Sequence, residues 1–247
     1  MYRRCINIRE EAYGANHPLV ADALDRLGSF LATIADYDGA ALAHRRALEA
    51  RATVLGVRSV GVAVTMTKLS DVLTMMGHHA ESTRLARDAV EIIDETLGRD
   101  HSEAAVVLPG LGHTMVQGGR KEGFQGALGL FRQSLRVLEK TYGFPHPQAA
   151  LQRCHIGMCH MLLYDPQEAH RFYLAAIDEA AQVYGADSYQ VALHKRRLGH
   201  ALIGLRRYEE SYAVFKESVK RLERQFGIRH PYVGMALKYL ALSLIHI

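Results

Sequence analysis

Cysteine is scarce in this 247-residue sequence: Cys5, Cys154 and Cys159 are the whole complement. Three thiols cannot build a disulfide framework for a chain of this length, and an odd count fits a reducing compartment, so the cytoplasm is the expected location. Long apolar runs are missing as well. The first ten residues carry charge throughout and lack the apolar core of a signal peptide. The longest stretch without a formal charge, 104–119, is interrupted by Pro109 and by glycines, so no membrane span is expected. Charge of one sign does not accumulate either: 30 Lys and Arg stand against 26 Asp and Glu. The resulting net charge of +4 favours acidic partners without demanding nucleic acid. Basic runs such as Lys195–Arg197, Arg206–Arg207 and Lys220–Arg221 are short and interleaved with acids, so nucleic acid is not the expected partner. Also absent are a phosphate-binding loop of the Walker type, a dinucleotide glycine fingerprint and a serine nucleophile elbow. Neither an enzyme nor a cofactor is expected.

What the sequence has is a period. A large apolar residue followed by glycine recurs as Tyr13-Gly14, Leu55-Gly56, Leu97-Gly98, Tyr142-Gly143, Tyr184-Gly185 and Phe226-Gly227, at steps of 42, 42, 45, 42 and 42. The longer step is ascribed to three residues inserted in the glycine-rich stretch 118–126, where a loop can absorb them at little cost. Thirteen residues beyond each glycine stands Leu27, Leu69, Leu111, Ile156, Leu198 or Leu240, and the next position is Gly28, Ser70, Gly112, Gly157, Gly199 or Ala241. Small residues return at Ala40, Ser82, Ala127, Ala169 and Ser211, and again at Ala47, Ala89, Ser134, Ala176 and Ser218.

Small residues at fixed places on two successive helices permit close approach of the axes, so each period predicts an antiparallel helical hairpin. The first copy has helices over about residues 17–34 and 37–55. Pro18, Pro147 and Pro231 fall in the first helical turn and glycine follows the last turn, matching the preferred start and stop signals. The expected organisation is one all-α array, 1–247. It has full repeats at 14–55, 56–97, 98–142, 143–184 and 185–226, with half-repeats at 1–13 and 227–247. Isolated helices of this length are marginal in water, so the array must draw its stability from stacking. Pro109, inside the third first-helix, is expected to kink or interrupt it.

These residues resemble the tetratricopeptide repeats of the kinesin light chain type, whose unit has the same length. The resemblance lies in Gly14-Ala-Asn-His-Pro18, Gly143-Phe-Pro-His-Pro147 and Gly227-Ile-Arg-His-Pro231, the turns at Tyr37-Asp-Gly-Ala40 and Tyr208-Glu-Glu-Ser211, and Arg46-Ala-Leu-Glu49. It covers essentially the whole chain. It implies a right-handed α-solenoid whose first helices line a concave peptide-binding groove. Family members commonly place paired asparagines before the large-small column. Here those pairs read Asp25-Arg26, Thr67-Lys68, Pro109-Gly110, Cys154-His155, Arg196-Arg197 and Lys238-Tyr239, so the asparagine clamp is absent.

By repeat position the groove should be lined by Asp22, Asp25, Val64, Thr67, Asp71, Val106 and His113 in the earlier repeats. Leu151, Cys154, Met158, Met161, Leu193, Arg196, His200 and Lys238 should continue it in the later ones. Acids gather early, apolar residues centrally and bases late. That gradient predicts a partner protein or peptide with apolar anchors and an acidic portion toward Arg196 and Lys238. Four of the 14 histidines, His17, His101, His146 and His230, share one column at the helix start and need no ligand role. Cys154-His155 and Cys159-His160 are the remaining cluster. His160 shares its column with Leu31, Leu73, Met115 and Leu202 and should point inward, so no metal site is expected.

The last six residues, Leu242-Ser-Leu-Ile-His-Ile247, match the translation of a sequencing-library transposase adapter and are expected to be foreign to the gene. A second-helix pattern at the start and a first-helix pattern at the end make a fragment the expectation. The expected function is therefore a non-catalytic scaffold for protein binding. The alternative is the regulatory or sensor segment of a larger signalling protein whose ATPase or kinase domain lies elsewhere.

Overall fold

The structure, a computed structural model, describes residues 2–244; the last three residues of the suspected adapter segment lie outside the described residues. Among the described residues there are twelve helices and no strand. They are α1 (Tyr2–Tyr13), α2 (Pro18–Thr33), α3 (Tyr37–Leu55), α4 (Val60–Met75), α5 (His79–Thr96) and α6 (Ala104–Gln117), then α7 (Lys121–Tyr142), α8 (Pro147–Leu162), α9 (Pro166–Tyr184), α10 (Tyr189–Gly204), α11 (Tyr208–Phe226) and α12 (Pro231–Leu244). Consecutive helices pack as antiparallel hairpins, the all-α stacked architecture that the period predicts. The chain divides into two compact units, 2–130 and 131–244. No helix among the described residues is long and apolar enough to cross a membrane.

Backbone geometry explains the landmark glycines. Gly14, Gly56, Gly98, Gly143, Gly185 and Gly227 all have φ between 73° and 86°, where a side chain would strain the turn that ends each second helix. The aromatic residue before the glycine and the histidine three beyond it form one device. Tyr13 stacks on His17 at 4.8 Å, Tyr142 on His146 at 4.8 Å and Phe226 on His230 at 4.5 Å. At His17, His101 and His230 the ring Nδ1 accepts the backbone N–H two residues on, each at 3.2 Å; at His17 and His230 that N–H lies in the first turn of the next helix, so the imidazole caps it.

Two local expectations are corrected. The three inserted residues do not lengthen a loop: the link between α6 and α7 is three residues, 118–120, like the other links within hairpins. They lengthen α7 instead, which has 22 residues where α3, α9 and α11 have 19. Glycine makes this possible, since a Cβ at Gly123 would lie 2.6 Å from the Met115 carbonyl oxygen and one at Gly126 would lie 2.2 Å from the Met115 methyl. Pro109 does not interrupt α6, which runs through it. The helix instead starts at Ala104, six residues beyond its landmark glycine, where the other first helices start four beyond theirs.

In the first unit, Val62, Ala63, Ile92, Ile93, Val107 and Leu108 form the largest core cluster. In the second, Tyr173, Leu198 and Leu202 pack with Cys154 and the small residues Ala169 and Ala176. Each large aliphatic or aromatic side chain withdrawn from water contributes about 1.5–3 kcal/mol. The small-residue column sets the depth of the packing. A Cβ at Gly28 would meet the His44 ring at 2.7 Å, at Gly157 the Tyr173 ring at 2.7 Å, and at Gly199 the Phe215 ring at 2.6 Å.

Candidate functional site

The first helices of successive hairpins lie side by side within each unit, and three of their positions were expected to share one exposed stripe. These lie eight, eleven and fifteen residues beyond the landmark glycine, with Met161 of α8 added at the eighteenth. The structure separates them. Asp22, Asp71, Val106, Leu151 and Lys238 are exposed, and Val64, His113, Met158, Met161, Leu193, Arg196 and His200 are half-buried. Asp25, Thr67 and Cys154 are instead buried, at 2%, 6% and 1% exposure, and line no surface. All three occupy the eleventh position. Steps of three and four residues both stay on one helix face, but α2, α4 and α8 are rolled so that their eleventh residue is buried, whereas the eleventh residues of α10 and α12, Arg196 and Lys238, keep contact with solvent. Arg26 and Lys68, one residue after Asp25 and Thr67, reach the surface instead, and Arg197 does so beside Arg196. The sequence signal for them was the second member of each pair preceding the large-small column.

Asp25 shows what the eleventh position does in the first unit. Its Oδ1 lies 2.9 Å from His44 Nδ1, and its Oδ2 accepts from Arg51, from Thr65 Oγ1 at 3.2 Å and from Lys68 Nζ at 3.2 Å. Arg51 also donates to Asp22 and to Thr65. Burial alone would raise the Asp25 carboxyl. The hydrogen bonds from His44 and Arg51, with the charges of Arg51 and Lys68, outweigh it and hold the group well below the usual carboxylate range. The early acidic character of the stripe is therefore partly consumed inside the fold, tying α2, α3 and α4 together. Further along the same unit, Thr67 packs on the backbone at Gly110, where an added Cβ would meet its methyl at 2.4 Å. Asp71 Oδ1 and His113 Nδ1 stand 4.0 Å apart beside it.

The second unit presents the opposite balance. Arg196 and Arg197 are half-buried on α10, and the Arg196 Nε is buried without a hydrogen-bond partner among the described residues. Burial, and then the charge of Arg197, push the Arg196 guanidinium down from its ordinary value. His200 sits with its ring centroid 4.0 Å from that of Tyr239 and 5.5 Å from that of Phe215. Burial, followed by the charges of Arg196 and Arg197, lowers it to about 4. His194 is likewise lowered to about 4, by burial and then by Arg197. Lys238 Nζ lies 6.0 Å from the Tyr239 ring centroid. Among the described residues no carboxylate pairs with Arg196, Arg197 or Lys238, so positive charge collects on α10 and α12, while Lys195 of α10 is paired with Glu217. Met161 and Leu193, expected in the stripe, pack largely into the core clusters behind it.

These histidines carry a pH signature. The unfolded chain takes up protons near 6.5 while the folded chain resists until about 4, so stability at pH 7 is lost as pH falls between those values. Each histidine is expected to account for about 1–3 kcal/mol. Denaturant unfolding of His200→Gln from pH 7 to 4.5 checks this: the variant should lose less stability across the interval than the parent chain.

The remaining candidates for chemistry are absorbed by packing. The Cys154 and Cys159 thiols are pushed up by burial to about 11 and about 12, far from a reactive thiolate. His155 packs against the Phe131 ring at 5.0 Å, and His160 contacts Arg132 at 3.2 Å and Asp165 at 3.1 Å. Among the described residues no three His, Cys, Asp or Glu converge as a metal site would require.

Residues 20–60 and 62–103 match the tetratricopeptide repeat family. Those two stretches are tetratricopeptide repeats. The fold of solved tetratricopeptide proteins extends over the rest of the chain. The putative kinesin light chain repeats of Podosopora anserina are 15% identical, with a TM-score of 0.68 over 85% of this chain and 98% of that one. The STAND protein with a tetratricopeptide repeat sensor from Pyrococcus horikoshii is 16% identical, with a TM-score of 0.75 over 99% of this chain and 34% of that one. The Rap conjugation gene regulator of plasmid pLS20, in complex with the Phr* peptide, is 15% identical, with a TM-score of 0.67 over 92% of this chain and 63% of that one. No curated sequence matches the chain. At these identities the likeness is one of fold.

Proposed function

We propose that this chain is a non-catalytic scaffold that binds a partner peptide or protein on the first-helix face of its repeats. The second unit would receive an acidic side chain of that partner. The observation that carries this reading is the pair Arg196 and Arg197, with no carboxylate counterpart on either among the described residues and a buried, unsatisfied Nε on Arg196. A guanidinium half-withdrawn from water costs free energy until an anion meets it, and a carboxylate does so with charge-assisted hydrogen bonds. Leu151, Met158 and Met235 expose apolar surface on first helices of the same unit and supply anchors for neighbouring apolar side chains. Methionine adapts its shape to such anchors. The pLS20 Rap regulator, which shares the fold, is itself seen with a peptide. The likeness to the sensor repeats of a STAND protein supports a second setting for the same chemistry, a regulatory segment within a larger signalling protein.

Selection of random displayed peptides on the purified chain tests the reading. Retained sequences are expected to be enriched in Asp and Glu beside Leu, Met or aromatic residues. Enrichment in basic sequences, or none at all, would count against it.

A further inference from the structure

The first repeat departs from the others at one place in its second helix. Twenty-nine residues beyond the landmark glycine, allowing for the insertion, stand Ala43, Leu85, Leu130, Phe172 and Val214. Only the first repeat has a small residue in this column. In the next hairpin Leu85 is buried in a cluster with Leu69 and Leu73. Their counterparts in the first hairpin, Leu27 and Leu31, border instead an open-mouthed cavity of about 360 Å³ lined by α1, α2 and α3. The floor is apolar, made by Ile6, Leu24 and Ala43, each under 5% exposed. Leu42, 64% exposed, stands at the rim where the later repeats carry Arg84, Gly129, Arg171 and Ala213. Arg3 and Arg46 flank the same opening. Arg46 is held by Glu10 at 2.6 Å, whereas Arg3 has no carboxylate partner among the described residues.

From this juxtaposition we infer that the first repeat binds a single-chain amphiphile with an anionic head, a medium-chain carboxylate. Its hydrocarbon tail fills the space that Leu85 and its counterparts occupy elsewhere, and its head meets Arg3 and Arg46. The volume lies within the range of small-ligand sites, about 300–1,000 Å³. Desolvating a tail against Ile6, Leu24, Leu27 and Leu31 drives binding, and the guanidinium pair orients it. The lining favours such a ligand over an extended peptide. Apart from the two guanidinium groups, its polar side chains are limited to Asn7, too few to hold a main chain.

Calorimetric titration of the chain with decanoate, below the concentration at which it forms micelles, tests the assignment. One decanoate should bind per chain. Ala43→Leu, which restores the residue type of the other repeats, should weaken binding at least tenfold while leaving the thermal midpoint unchanged or higher. The variant Arg3→Gln/Arg46→Gln should weaken decanoate several-fold and decanol much less. Absence of decanoate binding, or equal binding by Ala43→Leu, overturns the inference. So does an Ala43→Leu chain that loses display-selected acidic peptides, because the occupant would then be a partner side chain. Because the first-helix reading concerns α10 and α12, loss of peptide binding there leaves this result untouched, and the two fail separately.

Discussion

Replacing Asp25 with alanine is expected to destabilise the first unit by about 3–5 kcal/mol. The carboxylate is the common acceptor of α2, α3 and α4, meeting His44, Arg51, Thr65 and Lys68 while only 2% exposed. Removing it strands the Arg51 guanidinium, itself 9% exposed, against the remaining partners Asp22 and Thr65. The cost is that of buried donors on His44, Arg51 and Thr65 losing their common acceptor, with only the exposed Asp22 left to offset the Arg51 charge, so an apolar redesign of the set should recover stability that the single change loses. Urea unfolding followed by circular dichroism reads the effect. A loss below about 1 kcal/mol would mean that the network is solvated and Asp25 belongs to the exposed stripe after all. The pH sign is fixed by the same contacts. The depressed Asp25 carboxyl contributes fully above its ordinary value of 3.8, and the contribution is lost as pH falls below that value.

Gly199→Val is expected to cost the second unit about 3 kcal/mol or more, against a general expectation of about 1–3 kcal/mol for overpacking. Even the first carbon of the new side chain would lie 2.6 Å from Phe215 Cζ. The ring has no exposure and is hemmed in by His200 and Tyr239, so it has no free direction in which to move. Helix propensity works the other way, since valine is a better helix former than glycine, so a net loss isolates the packing effect. Gly129→Ala supplies the contrast: it is helical with nothing within 4 Å of an added Cβ, and alanine there should stabilise by up to about 1 kcal/mol. Thermal and urea unfolding of both variants decide the matter, and equal effects would contradict the close-packing account.

Much of the fold was legible because each signal had a single physical cause. The apolar-glycine pair marks a turn with positive φ, the histidine column caps the following helix at His17 and His230, and the small column lets two helices touch. What the sequence did not disclose was rotation and accommodation. Whether Asp25 or Arg26 faces outward depends on about 100° of helix roll, set by packing between hairpins, which no single repeat records. The insertion at 118–126 looked like a loop because it is glycine-rich, yet Gly123 and Gly126 serve close contact with Met115 inside a longer α7. Pro109 sits inside a helix that starts late. The cavity under Ala43 was present in the column comparison, but its meaning needed the positions of Leu27 and Leu31 beside it.

The central claim is that Arg196 and Arg197 receive an acidic group of a partner. The most direct measurement is the affinity of a display-selected acidic peptide, by fluorescence anisotropy at two salt concentrations, for the parent chain and for Arg196→Glu/Arg197→Glu. The account predicts at least a tenfold loss in the variant, with helical content retained, and a salt dependence that disappears with the charges. Equal affinity and equal salt dependence in both chains would place the partner on another face and contradict it.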